Sequence, residues 1–167
     1  RITETEHLEI VESSERLAAI GEQWTRLWRD RDGLIFQSHD WISAWWSTID
    51  HPERMALRIG LVWHGDRLIG VMPLAISRRK GLRFLEWAAV AYTDYGDLLL
   101  APECTDAALD RLWTKICDAG GFDLASITRL LPDAAAWRVF EPRRRPRNKL
   151  RIDPPRGKKP RHPGGLD

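Results

Sequence analysis

The fold of this chain is decided by residues 57–78, which read LRIGLVWHGDRLIGVMPLAISR. Apolar side chains alternate with others over the first seven positions, which is the pattern of a half-buried strand, and HGDR at 64–67 is a turn sequence. The second run is apolar on both faces from 68 to 74, which is typical of a strand with neighbours on both sides. Pro73 cannot donate a hydrogen bond to a neighbouring strand and predicts a bulge or bend. The stretch therefore predicts a β-hairpin whose second strand is central in a sheet.

Upstream of the hairpin, the sequence predicts one strand and two helices. Residues 7–11 alternate as a short strand, and apolar residues at three- and four-residue steps predict a helix over 17–31. The N-cap of this helix is predicted at Ser13 or Ser14, and that of the second helix at Ser38.

Downstream, a strand over 82–90 would continue the hairpin as a meander. A helix capped by Thr105 and ended by Gly120-Gly121 follows, and then a strand over 122–131. The order predicts an α+β, or mixed α/β, fold with an antiparallel-rich sheet covered by helices.

The composition is that of one globular domain. Of 167 residues, 43% are hydrophobic and 30% are charged. No apolar run approaches the roughly 18 residues that span a bilayer, and no signal peptide is recognisable, so we expect a cytoplasmic protein. Two cysteines predict neither a disulfide framework nor a cysteine-based zinc site, and five histidines show no ligand spacing, so no metal is expected.

Residues 141–167 differ from the rest of the chain. They contain ten Lys or Arg against three acids, and six of the ten prolines. Such a segment buries too little apolar surface to offset the entropy of ordering it. We predict a domain over 1–140 and a disordered basic tail over 141–167. The tail lacks aromatic residues and any recognition module, so nucleic acid is not an expected partner.

Residues 92–97, YTDYGD, lie between two apolar runs and contain the main candidates for chemistry. Asp94 and Asp97 beside the phenols of Tyr92 and Tyr95 suit general acid–base catalysis, because burial raises a carboxyl pKa and a phenol can protonate a leaving group. The alternative is a strand-to-strand turn, in which Asp and Gly are common. The composition of the stretch leaves both interpretations open.

The second helix carries Trp41, Trp45 and Trp46 within six residues. They form either part of the core or the wall of a ligand groove, with Trp46 the first candidate for the groove. The basic stretch RRKGLR at 78–83 is either a solvated turn or a phosphate site. No P-loop, dinucleotide fingerprint or Gly-x-Ser-x-Gly elbow is present in the sequence.

The order of these motifs resembles the GNAT-like acetyltransferases of cellulose and exopolysaccharide biosynthesis, often called CelD-like, which are related to the FemAB-type fold. The resemblance covers about residues 8–135 and has four parts: Trp24-x-x-Leu27; Phe36-Gln37-Ser38-x-Asp40-Trp41 with Trp45-Trp46; GVMPL at 70–74; and TDYGD at 93–97. It implies a GNAT-like sheet and acyl transfer from acetyl-CoA or another acyl-CoA. The acceptor would be an amine or hydroxyl of a sugar or polysaccharide precursor.

The resemblance also implies roles for individual residues. Asp94 and Tyr95 would be catalytic, orienting the acceptor or handling its proton. Six further residues would contact the substrate, namely Trp41, Trp45, Trp46, Tyr92, Asp97 and Gln37. No residue of this chain is identified for binding the acyl-CoA.

The chain departs from that group in length. Its members are about twice as long, with the acyl-CoA-binding half after the region matched here, so the resemblance implies an incomplete fold that is inactive alone. The Pro/Arg-rich text from 141 is typical of a GC-rich gene read in another frame, and we interpret the tail as a frameshift or truncation product. The alternative function is a non-catalytic interaction module of a polysaccharide-synthesis assembly. Either function leaves apolar surface uncovered, which predicts homo-oligomers.

Overall fold

The elements follow the predicted order of a strand, helices, several strands, a helix and a strand. The computed structural model describes residues 5–143 and 150–153. Apart from short 3-10 turns, the elements are β1 (Glu6–Val11), α1 (Ser14–Ala19), α2 (Gly21–Asp30), α3 (His39–Thr48), β2 (Met55–His64), β3 (Arg67–Arg79), β4 (Leu82–Trp87), β5 (Leu99–Leu100), α4 (Asp106–Ala119), β6 (Leu124–Ile127), α5 (Trp137–Phe140) and β7 (Leu150–Ile152). The strands form one sheet in the order β1-β2-β3-β4-β6-β7, with β5 paired to β3.

The sheet is mostly antiparallel. The pairs β1–β2, β2–β3, β3–β4 and β3–β5 are antiparallel, whereas β6 is parallel to β4 and β7 is parallel to β6. A parallel pair needs a crossover, and α4 lies in the connection from β4 to β6. This helix packs closely on β2, because a Cβ added at Gly60 would lie 2.9 Å from side-chain atoms of Leu112 and Ile116. On the other face of β2, Ile59 and Leu61 are fully buried. The predicted fold class is confirmed: a mixed α/β fold with a mostly antiparallel sheet covered by helices.

The predicted hairpin, β2 and β3, forms the centre of the sheet. On its second edge β3 pairs with β5 at residues 70–71 and with β4 from residue 74 onward. Pro73 lies where the partner changes, and its carbonyl accepts the N–H of Ala88 at 2.8 Å. Proline has no backbone N–H to donate. At residue 73 no ladder hydrogen bond is lost on this edge, because the position lies between the pairing with β5 and the pairing with β4. Pairing with β2 is regular at Pro73 itself, and the irregularity of β3 lies nearer the turn, where Val62 pairs with Gly70 and Trp63 with Leu68, so that Ile69 is the extra residue.

In three places a helix or strand ends before the end of the apolar pattern that predicted it. The predicted helix over 17–31 is two helices, α1 and α2, because the backbone of Ile20 (φ −93°, ψ 5°) leaves helical geometry. Strand β4 ends before Ala89, which has a φ of 58°, and β6 ends before Arg129, which has a φ of 59°. A positive φ takes the chain out of a strand. The predicted N-caps are confirmed, and each accepts the N–H three residues on: Ser13, Ser38 and Thr105.

Part of the predicted tail belongs to the sheet. Residues 141–143 form a 3-10 turn after α5, and β7 pairs with β6 at its edge. The alternation of β7 explains this, since Leu150 and Ile152 pack half-buried against the core. Residues 141–143 and 150–152 of the predicted tail therefore lie in these elements, and the rest of the predicted tail lies outside the described residues. None of the helices within 5–143 and 150–153 is long and apolar enough to cross a bilayer.

Candidate ligand-binding cleft

Between β4 and β5 the chain leaves the sheet as loop 88–98, which contains the predicted catalytic residues. Two hydrogen bonds fix its tip: Nη1 of Arg129 donates to the carbonyl of Thr93 at 3.0 Å, and the N–H of Gly96 donates to the carbonyl of Arg129 at 3.1 Å. At the base of the loop, the indole of Trp87 donates to the carbonyl of Thr128 at 2.9 Å. The protein itself therefore sets the conformation of this loop.

The side chain of Asp97 anchors loop 88–98 to the rest of the protein. Its carboxylate accepts the backbone N–H groups of Leu98 at 2.7 Å, Ala135 at 3.0 Å and Ala136 at 2.8 Å. Burial raises the pKa of the Asp97 carboxyl above its usual value, and the three N–H groups oppose that shift by favouring the charged form. The structure thus places Asp97 in a network that joins loop 88–98 to the turn before α5, with its oxygens already engaged.

Gln37 also anchors loop 88–98, at the last residue of the loop. Its side chain is buried, donating from Nε2 to the carbonyl of Leu98 at 2.9 Å and accepting the N–H of Leu34 at 2.8 Å. Its own carbonyl accepts the indole N–H of Trp24 at 2.8 Å. The predicted substrate contact is therefore a bridge between the start of α3 and the end of loop 88–98.

The predicted aromatic residues form a groove, here the aromatic groove. Trp41 and Trp45 of α3 face Tyr92 of loop 88–98 across a volume of about 330 Å³, completed by Ala44, Thr48 and Ile49. The phenol of Tyr92 is 67% exposed, which is unusual for a large aromatic residue held on a fixed loop. These three aromatic residues are thus brought together, as a substrate groove requires.

The remaining predicted residues lie outside the groove. The indole of Trp46 donates to Oγ of Ser14 at 2.8 Å and so faces α1. Asp94 is exposed and Tyr95 is half-buried. Neither side chain lines the groove, and among the described residues neither forms a hydrogen bond or ion pair. The fold therefore separates Asp94 and Tyr95 from the aromatic surface that the sequence grouped with them.

A second cavity, here the cleft, continues from the groove and has a volume of about 480 Å³. It shares Trp45, Ile49 and Tyr92 with the groove. Its polar lining includes Ser77 and Arg79 at the end of β3 and Glu86 of β4. The lining combines aromatic side chains, among them Trp45, Trp87 and Tyr92, with polar and charged groups, and small-molecule sites use both kinds of contact.

The floor of the cleft is a three-residue polar cluster of Ser77, Arg79 and Glu86. Nη1 of Arg79 donates to Oε1 of Glu86 at 2.9 Å and to Oγ of Ser77 at 3.1 Å. The guanidinium carbon lies 4.2 Å from the centre of the Phe84 ring, within the range of a cation–π contact. Sequence reasoning missed this cluster. The available signal was a lone acid, Glu86, inside the predicted strand over 82–90.

No match to the chain was found among protein-family models, curated proteins or solved structures. Its function is therefore inferred from the geometry of the groove and the cleft together with the motif resemblance.

Two places among the described residues are candidates for the phosphates of an acyl-CoA, the 78–83 turn and the start of α4. RRKGLR at 78–83 is the tight turn between β3 and β4, with Lys80 and Gly81 at φ 52° and 78°, and a strand follows it. At the start of α4, the hydroxyl of Thr105 accepts the N–H of Ala108, and the carboxylate of Asp106 pairs with Arg138 at 2.6 Å. A carboxylate there repels phosphate, so neither place fits the group.

Within residues 5–143 and 150–153, no group of three or more His, Cys, Asp or Glu side chains could hold a metal ion. The candidate site is therefore the aromatic groove with the cleft beside it.

Proposed function

We propose that this chain forms the acceptor-binding half of a GNAT-like acyltransferase, and that the aromatic groove and the cleft hold a sugar or polysaccharide precursor. The observation that carries this proposal is the convergence of Trp41 and Trp45 from α3 with Tyr92 from loop 88–98. Flat aromatic rings offer apolar surface to the C–H face of a sugar ring, and polar groups nearby can pair with its hydroxyls.

The acyl-transfer part of the proposal rests on the resemblance to the exopolysaccharide acetyltransferases. The co-substrate would be acetyl-CoA or another acyl-CoA, which supplies the activated acyl group. Because neither the 78–83 turn nor the start of α4 suits its phosphates, we propose that the donor binds elsewhere, on a further segment. The chain is therefore expected to bind the acceptor without turning it over.

Tryptophan fluorescence during titration with cellotetraose tests acceptor binding. Tyr92→Ala removes an exposed ring without touching the core, and is expected to weaken binding by about tenfold. The matched control is Leu82→Ala, which truncates another exposed apolar side chain on the β3–β4 turn and should leave affinity unchanged. Absence of saturable binding by the unaltered protein would refute the proposal.

The proposed roles of Asp94 and Tyr95 need a separate test. In a longer protein that joins this segment to a donor half, Asp94→Asn should abolish most turnover and leave folding and acceptor affinity intact. Unchanged turnover would show that Asp94 takes no part in catalysis. The proposal that the groove binds the acceptor would be unaffected.

An interaction module is the second candidate function. The observation that favours it is a further apolar surface before α3, where Leu34 and Ile35 are exposed beside Phe36, whose ring meets Trp41 edge-on at 5.2 Å. Such a surface suits a second copy of the chain or another subunit. Light scattering over a concentration series tests for homo-oligomers. If Ile35→Asp abolishes association and cellotetraose does not bind, the module is favoured over the enzyme half.

A further inference from the structure

We propose that the floor of the cleft, formed by Ser77, Arg79 and Glu86, is the recognition site for an uncharged sugar unit. The inference rests on the proposed function, because it specifies the class of acceptor taken by the same site. It concerns three residues that the motif resemblance does not include.

The position of Glu86 is the first reason. Glu86 is only 6% exposed, and its neighbours in β4, Leu85 and Trp87, are buried too. A carboxylate in such surroundings is costly unless it is paired. Even when paired, a buried ion pair seldom gives more stability than apolar side chains of similar volume. Stability alone therefore does not account for a carboxylate here, whereas a position in the lining of a cleft suits a recognition role.

The hydrogen-bonding capacity of the cluster is the second reason. Arg79 uses a single nitrogen, Nη1, for both Glu86 and Ser77, and its side chain is 50% exposed. A guanidinium has five N–H donors and a carboxylate has about four lone-pair sites. Donors and an acceptor group therefore lie side by side at the base of the cleft. A sugar hydroxyl, which both donates and accepts, matches such a pair.

The charge balance of the cleft is the third reason. On the floor, Arg79 and Glu86 neutralise each other. The other charged residues of the lining are Asp50, Arg54 and Arg78. Glu53, which adjoins the lining without being part of it, lies 3.9 Å from Arg54 and offsets its charge. With that pair included, opposite charges are balanced around the cleft, which favours a neutral ligand over a strongly charged one.

The shape of the site indicates more than one sugar unit. The cleft and the groove, of about 480 and 330 Å³, are joined along Trp45, Ile49 and Tyr92. Each is within the range of about 300–1,000 Å³ found for ligand pockets. One unit would bind over the polar floor and the next would lie against the aromatic rings, so the acceptor is a neutral oligosaccharide.

Calorimetric titration of the whole chain with three probes tests this inference. Cellotetraose is neutral, tetragalacturonate is anionic and tetraglucosamine is cationic. We expect cellotetraose to bind about tenfold more tightly than either charged probe. Glu86→Gln keeps the shape of the side chain but removes its charge, and should weaken cellotetraose binding by about tenfold. Glu103→Gln is the matched control, because Glu103 pairs with Arg67 away from the cleft.

The outcomes separate this inference from the proposed function. If no sugar binds, the proposed function fails and the inference falls with it. If cellotetraose binds and Tyr92→Ala weakens it, but Glu86→Gln has no effect or a charged probe binds equally well, only the inference is overturned. Should Glu86→Gln fail to fold, the double variant Arg79→Met/Glu86→Met removes both charges together and keeps the interior neutral. Binding by that folded variant with unchanged affinity would also overturn the inference.

Discussion

The carboxylate of Asp97 accepts the backbone N–H of Ala136 at 2.8 Å, across 39 positions of sequence. With the N–H of Ala135 at 3.0 Å, it ties loop 88–98 to the turn that leads into α5. The loop in turn presents Tyr92 to the tryptophans of α3. Asp97, which the sequence offers as a candidate for acid–base chemistry, thus positions loop 88–98 and with it Tyr92.

Asp97→Asn is expected to lower the free energy of unfolding by about 1–3 kcal/mol, because an amide NH₂ group then faces backbone donors that the carboxylate satisfied. Urea unfolding followed by circular dichroism measures the change. The control is Asp94→Asn in the same loop, where an exposed carboxylate should matter by no more than about 0.5 kcal/mol. Equal effects of the two substitutions would contradict the anchoring role of Asp97.

Glu9 predicts a pH-dependent contribution to stability. Its carboxylate accepts Nε of Arg16 at 2.5 Å and Nε1 of Trp63 at 2.8 Å. The hydrogen bond from Arg16 does most to hold the pKa of Glu9 below its ordinary value of 4.5; partial burial opposes it, and the Trp63 N–H adds to it. The folded protein therefore binds this proton less readily than the unfolded chain. The stabilisation is present above about pH 4.5 and is lost as the pH falls through the folded pKa.

Unfolding of the unaltered protein and of Glu9→Gln at several pH values checks this. The difference in free energy should be about 1 kcal/mol or less at neutral pH, because the ion pair is partly exposed, and it should shrink in acid. Glu22→Gln, which affects the exposed pair with Arg26, is the control and should have a smaller effect. A difference in the free energy of unfolding that grows as the pH falls would contradict the lowered pKa of Glu9.

Two tryptophans provide a matched comparison of buried indole N–H groups. The indole of Trp24 donates to the carbonyl of Gln37 at 2.8 Å, whereas the buried Nε1 of Trp41 has no acceptor among the described residues. Trp24→Phe should therefore cost about 1–3 kcal/mol more than Trp41→Phe, since it leaves a buried carbonyl without its donor. Thermal unfolding measures both variants, and equal losses would refute the distinction.

Gly96 is expected to resist substitution. A Cβ at this position would lie 2.3 Å from Cδ1 and Nε1 of Trp87, so the indole must move and give up its hydrogen bond to Thr128. Gly96→Ala should cost about 2–4 kcal/mol and change the near-ultraviolet signal of the tryptophans. Gly81→Ala in an open turn is the control. It should cost about 1 kcal/mol through its left-handed backbone and leave that signal unaltered.

Local patterns were sufficient for much of the fold. The hairpin follows from alternation and a short turn, and Ser38 caps α3 by a contact only three residues away. The edges of elements were harder to predict, since the left-handed residues Ala89 and Arg129 end strands within apolar runs. Apolar composition does not reveal where a backbone turns.

The candidate site was only half visible in the sequence. The chemistry of their side chains makes Trp41, Trp45 and Tyr92 candidates, and the fold brings them together. The hydrogen-bond partners of a polar side chain cannot be predicted from its chemistry alone. Gln37 is hydrogen-bonded to Leu98 and Trp46 to Ser14. The cluster around Glu86 depends on the pairing of β3 with β4.

By itself the sequence determined the central hairpin of residues 57–78, the helix caps and the mixed α/β class, because these depend on periodicity and on contacts a few residues long. Only the tertiary structure decided that Pro73 falls where β3 exchanges β5 for β4, and that the loop between those strands turns Tyr92 outward and Asp97 inward. The physical reason is that side-chain burial and hydrogen-bond partners depend on strands and turns that are distant in sequence.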